Sequence, residues 1–289
     1  MSRPIHVVVV AYHAPEALGR CLEHLEDAFP VTVVDNSSSA TVRAIAEGHP
    51  AAVTYLDPGR NLGFAGGVNT GLRRCLSSGP TDVLLLNPDA TLAADDVDHL
   101  ARELRSPRCS DIAAISPELV GPMGEHQRVA WPFPSPSRAW IEAVGLGTAT
   151  RARETFVIGA ALLLRWEALQ EVGLFDERFF LYAEEADWQR RAYLARWRSA
   201  VCPDVVAVHT AGASSDNAIR REALFHAGQE TYIRKWFGHR GWLVYRTATV
   251  AGAGVRACVL RGDRRTEAIR RAGLYLRGPS RCLRVYGTG

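Results

Sequence analysis

Val83-Leu84-Leu85-Leu86-Asn87-Pro88-Asp89 is the stretch on which the fold turns. Four consecutive apolar residues read as a fully buried strand, and Asn-Pro-Asp ends it with turn-forming residues. An acid just past such a strand stands where an open α/β sheet presents its ligands, outside the carboxyl ends of the strands. Burying that charge unpaired is costly, so Asp89 is expected to face solvent, a metal or a cationic ligand. The arrangement recurs: Val31-Thr32-Val33-Val34 runs into Asp35, and Val205-Val206-Ala207-Val208 runs into His209. Strand ends carrying acid, acid and imidazole suggest a nucleotide and a divalent cation.

Strand and helix signals alternate on either side of this stretch. Residues 7–11, 31–34, 53–56 and 112–115 are further apolar strands. Pro15 opens a helix that sets Leu18, Leu22, Leu25 and Phe29 on one face. Serines 37–39 offer caps for a short helix carrying Val42 and Ile45. A glycine-rich turn over 61–67 leads into a helix with Val68, Leu72 and Leu76 inward, and a further helix carries Val97, Leu100 and Leu104. This alternation predicts an α/β fold: a Rossmann-like, mainly parallel central sheet flanked by helices. Residues 116–155 break the rhythm with Pro117, Pro122, Pro132, Pro134 and Pro136. With Trp131, Phe133 and Trp140 as aromatic surface, they predict a long functional excursion. Order resumes over 156–164, followed by helices at 166–173 and 184–193, a strand at 205–209 and a longer helix at 219–237.

The bulk numbers narrow the class. A chain of 289 residues, 47% apolar and 22% charged, is an ordinary globular protein, one large domain or one domain plus an appendage. Its six cysteines contain no C-x-x-C pair, which favours reduced thiols over a disulfide framework or zinc knuckle. The N-terminus reads as strand, without the pattern of a secretory leader, so a cytoplasmic location is expected. From Thr231 onward, thirteen Lys/Arg against two acids give +11; the overall +3 therefore leaves −8 for the preceding part. This asymmetry points to an anionic partner for the tail. No nucleic-acid-binding module accompanies the basic residues, so nucleic acid is not expected as a partner.

Several groups can carry chemistry. Asp89 can anchor Mg²⁺ or Mn²⁺, which prefer oxygen ligands and often share a protein carboxylate with substrate phosphates. The competing reading is a loop aspartate capping its turn. His209 beside that acid would suit Mn²⁺, against a purely structural histidine. Glu184-Glu185-Ala186-Asp187 follows an aromatic run. It either opens a helix with favourable N-terminal charge or sets a carboxylate among apolar residues, where raised proton affinity suits a general base. Asp35-Asn36-Ser37-Ser38 can grip a base or ribose, cap the next helix, or do both. The glycine-rich turn can bring backbone close to a ligand, yet lacks the G-x-G-x-x-G spacing; Walker A and G-x-S-x-G motifs are absent.

Taken in order, the segments from residue 7 to Tyr12, 33–38, 61–71, 86–89, 173–180, 182–187 and His209 resemble family 2 inverting glycosyltransferases, especially the bacterial rhamnosyltransferase-like branch. The resemblance covers residues 5–240 and implies a GT-A fold. Residues 1–115 would form its nucleotide-sugar-binding half and 116–240 its acceptor-binding and catalytic half, with 241–289 a basic amphipathic C-terminal helical tail. By matching position, it implies that Asp35 contacts a pyrimidine base, with Ala11, Tyr12, Asn61, Gly66 and Asn87 also on the nucleotide side. Asp89, as the last acid of a D-x-D-like motif, and His209 would bind Mg²⁺ or Mn²⁺ with the diphosphate. Glu185 would be the catalytic base, and Gly159, Ala160, Glu184, Asp187 and Trp188 would lie on the acceptor side. Four positions depart from the family pattern: His13 for asparagine, Asn87 for the first acid of D-x-D, Glu185 for aspartate and Trp188 for leucine.

The implied activity is transfer of a sugar, rhamnose as first choice, from a dTDP- or UDP-sugar to a hydroxyl of a glycan or polyprenyl-linked acceptor, with inversion. The alternatives are a sugar nucleotidyltransferase and a catalytically degenerate nucleotide-sugar-binding scaffold. In the tail, residues 241–260 are apolar but contain Arg246 and Arg256, a poor spanning helix. Residues 263–277 place Ile269, Ala272 and Leu276 along one face among arginines, which suits a helix lying on an anionic membrane at the inner face of the plasma membrane. A basic helix packed on the rest of the protein is the competing reading.

Overall fold

A computed structural model describes residues 3–50, 52–146, 154–210 and 218–286. The strands are β1 (Ile5–Ala11), β2 (Val31–Asp35), β3 (Val53–Leu56), β4 (Asp82–Leu86), β5 (Ala90–Thr91), β6 (Ile112–Val120), β7 (His126–Gln127), β8 (Ala130–Pro132), β9 (Thr155–Val157), β10 (Ala161–Leu164) and β11 (Arg198–His209). The helices are α1 (Pro15–Leu25), α2 (Ala40–Gly48), α3 (Gly63–Leu76), α4 (Ala94–Leu104), α5 (Pro136–Ala143), α6 (Trp166–Val172), α7 (Glu184–Leu194), α8 (Ala218–Val259), α9 (Gly262–Arg277) and α10 (Pro279–Tyr286).

The central sheet has the order β3-β2-β1-β4-β10-β6-β11-β5, with β7 on β6. Strands β1, β2, β3, β4, β6 and β11 run one way, joined by parallel ladders or through antiparallel β10; β5, β7 and β10 run against them. The sheet is therefore parallel in the main, as the alternation predicts. Its inner strands β1, β2, β4 and β10 are almost wholly buried and mostly apolar, whereas β11 carries exposed residues along its length. Val7, Val9, Val33, Leu84 and Leu163 are fully buried. Of the expected inward residues of α1, α3 and α4, Leu18, Leu22, Val68, Leu72, Val97 and Leu100 are buried, and Leu76 is half-buried. Buried Asp82, at the start of β4, accepts from Arg3, from Arg105 Nε at 2.9 Å and from the Trp166 amide at 2.9 Å, and so is fully paired.

Two expectations need correcting. The glycine-rich stretch is not a turn: α3 begins at Gly63, and its glycines are the first helical turns. The reason is close packing. A Cβ at Gly67 would meet Val10 Cγ1 at 2.6 Å, and one at Gly71 would run into Val8, so only glycine lets the helix lie on β1. The excursion over 116–155 is also more ordered than its prolines suggest. β6 continues through Pro117 because the ladder to β11 shifts register beside it, between Cys202 and Val206. Phe133 is buried and contributes no aromatic surface, whereas Trp131 and Trp140 are exposed. Residues 147–153 of that stretch lie outside the described residues.

The chain divides into two compact units: Met1–Trp131 with Thr155–Phe180 and Glu184–Asp216, and Pro132–Glu154 with Leu181–Ala183 and Asn217–Gly289. The division expected at residues 115 and 240 concerns ligand roles, which compactness does not address. Helix α8 runs through position 240, with its break at Gly238, where φ is +66°. In the second unit, Trp242 and Tyr275 are buried. Tyr275 Oη lies 2.9 Å from His226 Nδ1, and burial lowers the His226 pKa to about 3. Among the described residues no helix is long and apolar enough to cross a membrane.

Candidate active site

Every expected site residue falls in the first unit. Strands β1, β2, β4 and β11 share one direction, so Ala11, Asp35, Asn87 and His209 lie along the same, carboxyl edge of the sheet.

At one part of that edge, Asp35 is fully buried. Its Oδ1 accepts from the Ser37 amide (2.9 Å) and hydroxyl (2.5 Å); its Oδ2 accepts from the Ser39 amide (2.7 Å) and Tyr55 Oη (2.9 Å). Those donors occupy the carboxylate's four acceptor positions, so Asp35 shapes the loop as well as the edge. Ala11 pairs in register with Asp35, and its carbonyl accepts from the Asn36 amide at 2.9 Å. Tyr12 is half-buried beside the His13 ring, and His13 takes a positive φ of 49°. Asn61 Oδ1 caps α3 by accepting from the Gly63 amide at 2.9 Å. Gly66 is buried one turn further on. Asn36, next to Asp35, is buried as well. Its Nδ2 donates to the Gly63 carbonyl at 2.9 Å, which ties the Asp35 loop to the start of α3.

Asp89 and His209 are brought together by the short antiparallel pairing of β5 with β11, in which Ala90 opposes His209. His209 Nε2 lies 3.6 Å from Asp89 Oδ1, and the Thr210 amide donates to the Asp89 carbonyl at 3.0 Å. The side chains are only 14% and 10% exposed. Carboxylate plus imidazole is a donor set that fits Mg²⁺ or, better, Mn²⁺. Among the described residues no cluster of three or more His, Cys, Asp and Glu side chains could hold a metal. Mg²⁺ and Mn²⁺ commonly complete such a donor set with water and substrate oxygens.

The third group assembles around α7. Tyr182 and Ala183 both take φ of 70°, a left-handed conformation unfavourable for non-glycine residues. They deliver Glu184 and Glu185 at the first turn of α7. Glu184 is buried and Glu185 half-buried, and Oε2 of each is a buried oxygen without a hydrogen-bond partner. Burial raises the Glu184 pKa well above the usual range, reinforced by the neighbouring Glu185 charge, and burial raises Glu185 as well. Backbone hydrogen bonds at the helix start act the other way and are outweighed. Gly159 faces Glu185: a Cβ there would lie 3.9 Å from the Glu185 Cβ. The carbonyl of Ala160 accepts from the Asn87 amide at 2.9 Å. The segment at 159–160 therefore lies between the end of β4 and the start of the Glu185 side chain.

Two acceptor-side expectations change. Trp188 is fully buried, its ring stacked on Phe175 at 5.8 Å and its Nε1 donating to the Gly173 carbonyl at 2.8 Å. Asp187 is also fully buried and pairs with Arg191 at 3.2 Å. Both side chains are wholly buried, so neither is open to a ligand as half-buried Glu185 is. The segment it faces is held by Gln189, which bonds both the amide and carbonyl of Val157 at 2.8 and 2.7 Å.

Residues 6–172 match glycosyl transferase family 2. The chain is 30% identical, over 84% of its length and 87% of the relative's, to the N-acetylglucosaminyl-diphospho-decaprenol L-rhamnosyltransferase of Mycobacterium tuberculosis. It is 26% identical, over 72% and 68%, to the low-salt glycan biosynthesis hexosyltransferase Agl10 of Haloferax volcanii. Among solved structures, S. aureus TarS 1-349 in complex with UDP-GlcNAc superposes with a TM-score of 0.53 at 14% identity, over 94% of this chain and 80% of that one. The fold is GT-A, and the chain belongs to glycosyl transferase family 2.

Proposed function

We propose that this family 2 glycosyltransferase is inverting and metal-dependent. It moves a sugar, rhamnose as first choice, from a dTDP- or UDP-linked donor to a hydroxyl of a lipid-linked or cell-envelope glycan. The observation that carries the reading is Glu185: it is half-buried, its carboxyl oxygen Oε2 is buried without a hydrogen-bond partner, and its Cβ lies near Gly159, which has no side chain. Such an oxygen can accept an acceptor hydroxyl's proton as that hydroxyl's oxygen attacks the anomeric carbon from the face opposite the leaving group. Asn87 and the Asp35 loop would orient the donor. Asp89 and His209 would hold the divalent cation, which when bound offsets charge on the leaving diphosphate. The rhamnose preference rests on the rhamnosyltransferase relative.

The test is thermal stability against a panel of nucleoside diphosphates and nucleotide sugars, with and without Mn²⁺. A ligand that binds the folded state at 100 times its Kd stabilises by about 2.7 kcal/mol. One pyrimidine diphosphate should raise the melting temperature, more with Mn²⁺, and Asp89→Ala should remove the Mn²⁺-dependent part. No shift with any pyrimidine nucleotide would favour the degenerate scaffold. Pyrophosphate-dependent turnover would favour a nucleotidyltransferase.

A second reading concerns location. On α9 it is Ala268 and Tyr275 that pack inward, while Ile269 and Leu276 are 53% and 62% exposed, flanked by exposed arginines. We propose that this stripe rests on anionic lipid at the cytoplasmic leaflet. Each arginine near such a surface contributes about 1 kcal/mol, so Arg264→Glu with Arg265→Glu should weaken sedimentation with anionic vesicles by more than roughly tenfold. Unchanged sedimentation would reject the idea. Substitution in the full chain is the sound test, because removing the tail would strip His226 of Tyr275.

A further inference from the structure

Gln127, on the short strand β7, reaches across to His209 and acts on it twice. Its Nε2 donates to the His209 carbonyl at 2.8 Å, and its Oε1 lies 3.0 Å from the ring's Nδ1. The two contacts determine each other. A backbone carbonyl only accepts, so the amide nitrogen must face it; the opposite flip would set two oxygens 2.8 Å apart. The amide oxygen then faces Nδ1, and an amide oxygen also only accepts. Nδ1 must therefore carry the proton. When the ring is neutral its other nitrogen, Nε2, keeps its lone pair, and it lies 3.6 Å from Asp89 Oδ1. That distance is too long for a direct hydrogen bond. Two electron-pair donors facing each other in a largely buried place are a seat for a cation.

We infer that Gln127 is a positioning residue: it holds His209 in the Nδ1–H tautomer and so keeps Nε2 open toward a divalent cation shared with Asp89. This rests on the metal-dependent reading of the same site. A histidine ligand's role is set by the hydrogen bond its other nitrogen makes, and loss of such a partner typically weakens metal binding 10- to 100-fold. β7 is only two residues long and pairs with the upper end of β6, Leu119 with Gln127 and Val120 with His126. Its placement brings an amide to a ring 82 residues later in the chain.

The experiment has two readouts. The first is the tautomer of His209 in metal-free protein labelled with ¹⁵N-histidine, its signals assigned by their loss in His209→Asn. The second is Mn²⁺ affinity, alone and with UDP, measured by electron paramagnetic resonance. The expected result is the Nδ1–H tautomer in the native protein. Gln127→Leu should lose the tautomer's dominance and bind Mn²⁺ roughly 10- to 100-fold more weakly. Gln127→Met, which keeps the length of the side chain and removes both contacts, should behave as Gln127→Leu does and serves if the leucine variant fails to fold. A native Nε2–H tautomer, or native Mn²⁺ affinity in folded Gln127→Leu, overturns the inference. Absence of Mn²⁺ binding in native protein that nonetheless shows the Nδ1–H tautomer overturns the metal reading and leaves the lock itself standing.

Discussion

Glu185→Gln should lower turnover by roughly 10²- to 10⁴-fold, the contribution usual for a positioned general base. The substitution keeps size and hydrogen-bonding capacity but removes the proton acceptor. kcat and kcat/KM should fall together, because the lost interaction belongs to the transition state, while donor-induced thermal stabilisation stays as in the native protein. A variant with near-native turnover would remove Glu185 from the reaction. The pH profile carries a second mark. A base must be deprotonated to act, and burial raises the Glu185 pKa. The acid limb of native kcat/KM should therefore lie above the ordinary glutamate range and disappear in the variant. Stability runs the other way. Unfolded glutamates release their protons near 4.5, before the folded pair does. Between 4.5 and the raised values the folded state holds more protons, so the pair's contribution to stability is greatest below 4.5 and declines as pH rises.

Trp188→Ala should destabilise the protein by about 3–5 kcal/mol in urea unfolding, the range for emptying a fully buried large aromatic site. The indole is 0% exposed. Its removal leaves a cavity beside Phe175 and a Gly173 carbonyl without its donor. Trp188→Phe keeps the stacked ring and should lose distinctly less. Turnover measured well below the melting point should fall far less than in Glu185→Gln, because the ring is enclosed in the core and reaches no surface. A loss under about 1 kcal/mol in the alanine variant would contradict the packing role.

What could be read from the sequence was local and periodic. The ends of β2, β4 and β11 were legible because an apolar run that stops at a charge has little choice about where the charge goes. The long helix read as stopping at Phe237 does break at Gly238, where a left-handed backbone asks for glycine. Trp188 was misread because a motif position says which residues are neighbours in sequence, not how deeply each is buried. Asp187 failed for the same reason. Gln127 was invisible: a lone glutamine in a proline-rich stretch carries no period, and its meaning depends on a partner far along the chain. The glycines of α3 were read as a turn because composition cannot distinguish a glycine that bends the chain from one that lets Val8 and Val10 come close.

The place of β10 has a consequence for biosynthesis. It lies between β4 and β6, yet it follows β6 in the chain. When β4 and β6 have left the ribosome, the strand that joins them has not been made. At about 5–20 residues per second, the slot between them stays open for a few seconds. During that time β4 and β6 each present an apolar edge with unpaired backbone groups, the kind of template on which chains pair wrongly. Each newly made molecule must therefore pass through a split-sheet stage, and the segment at 159–160 beside Glu185 arrives together with the strand that closes it.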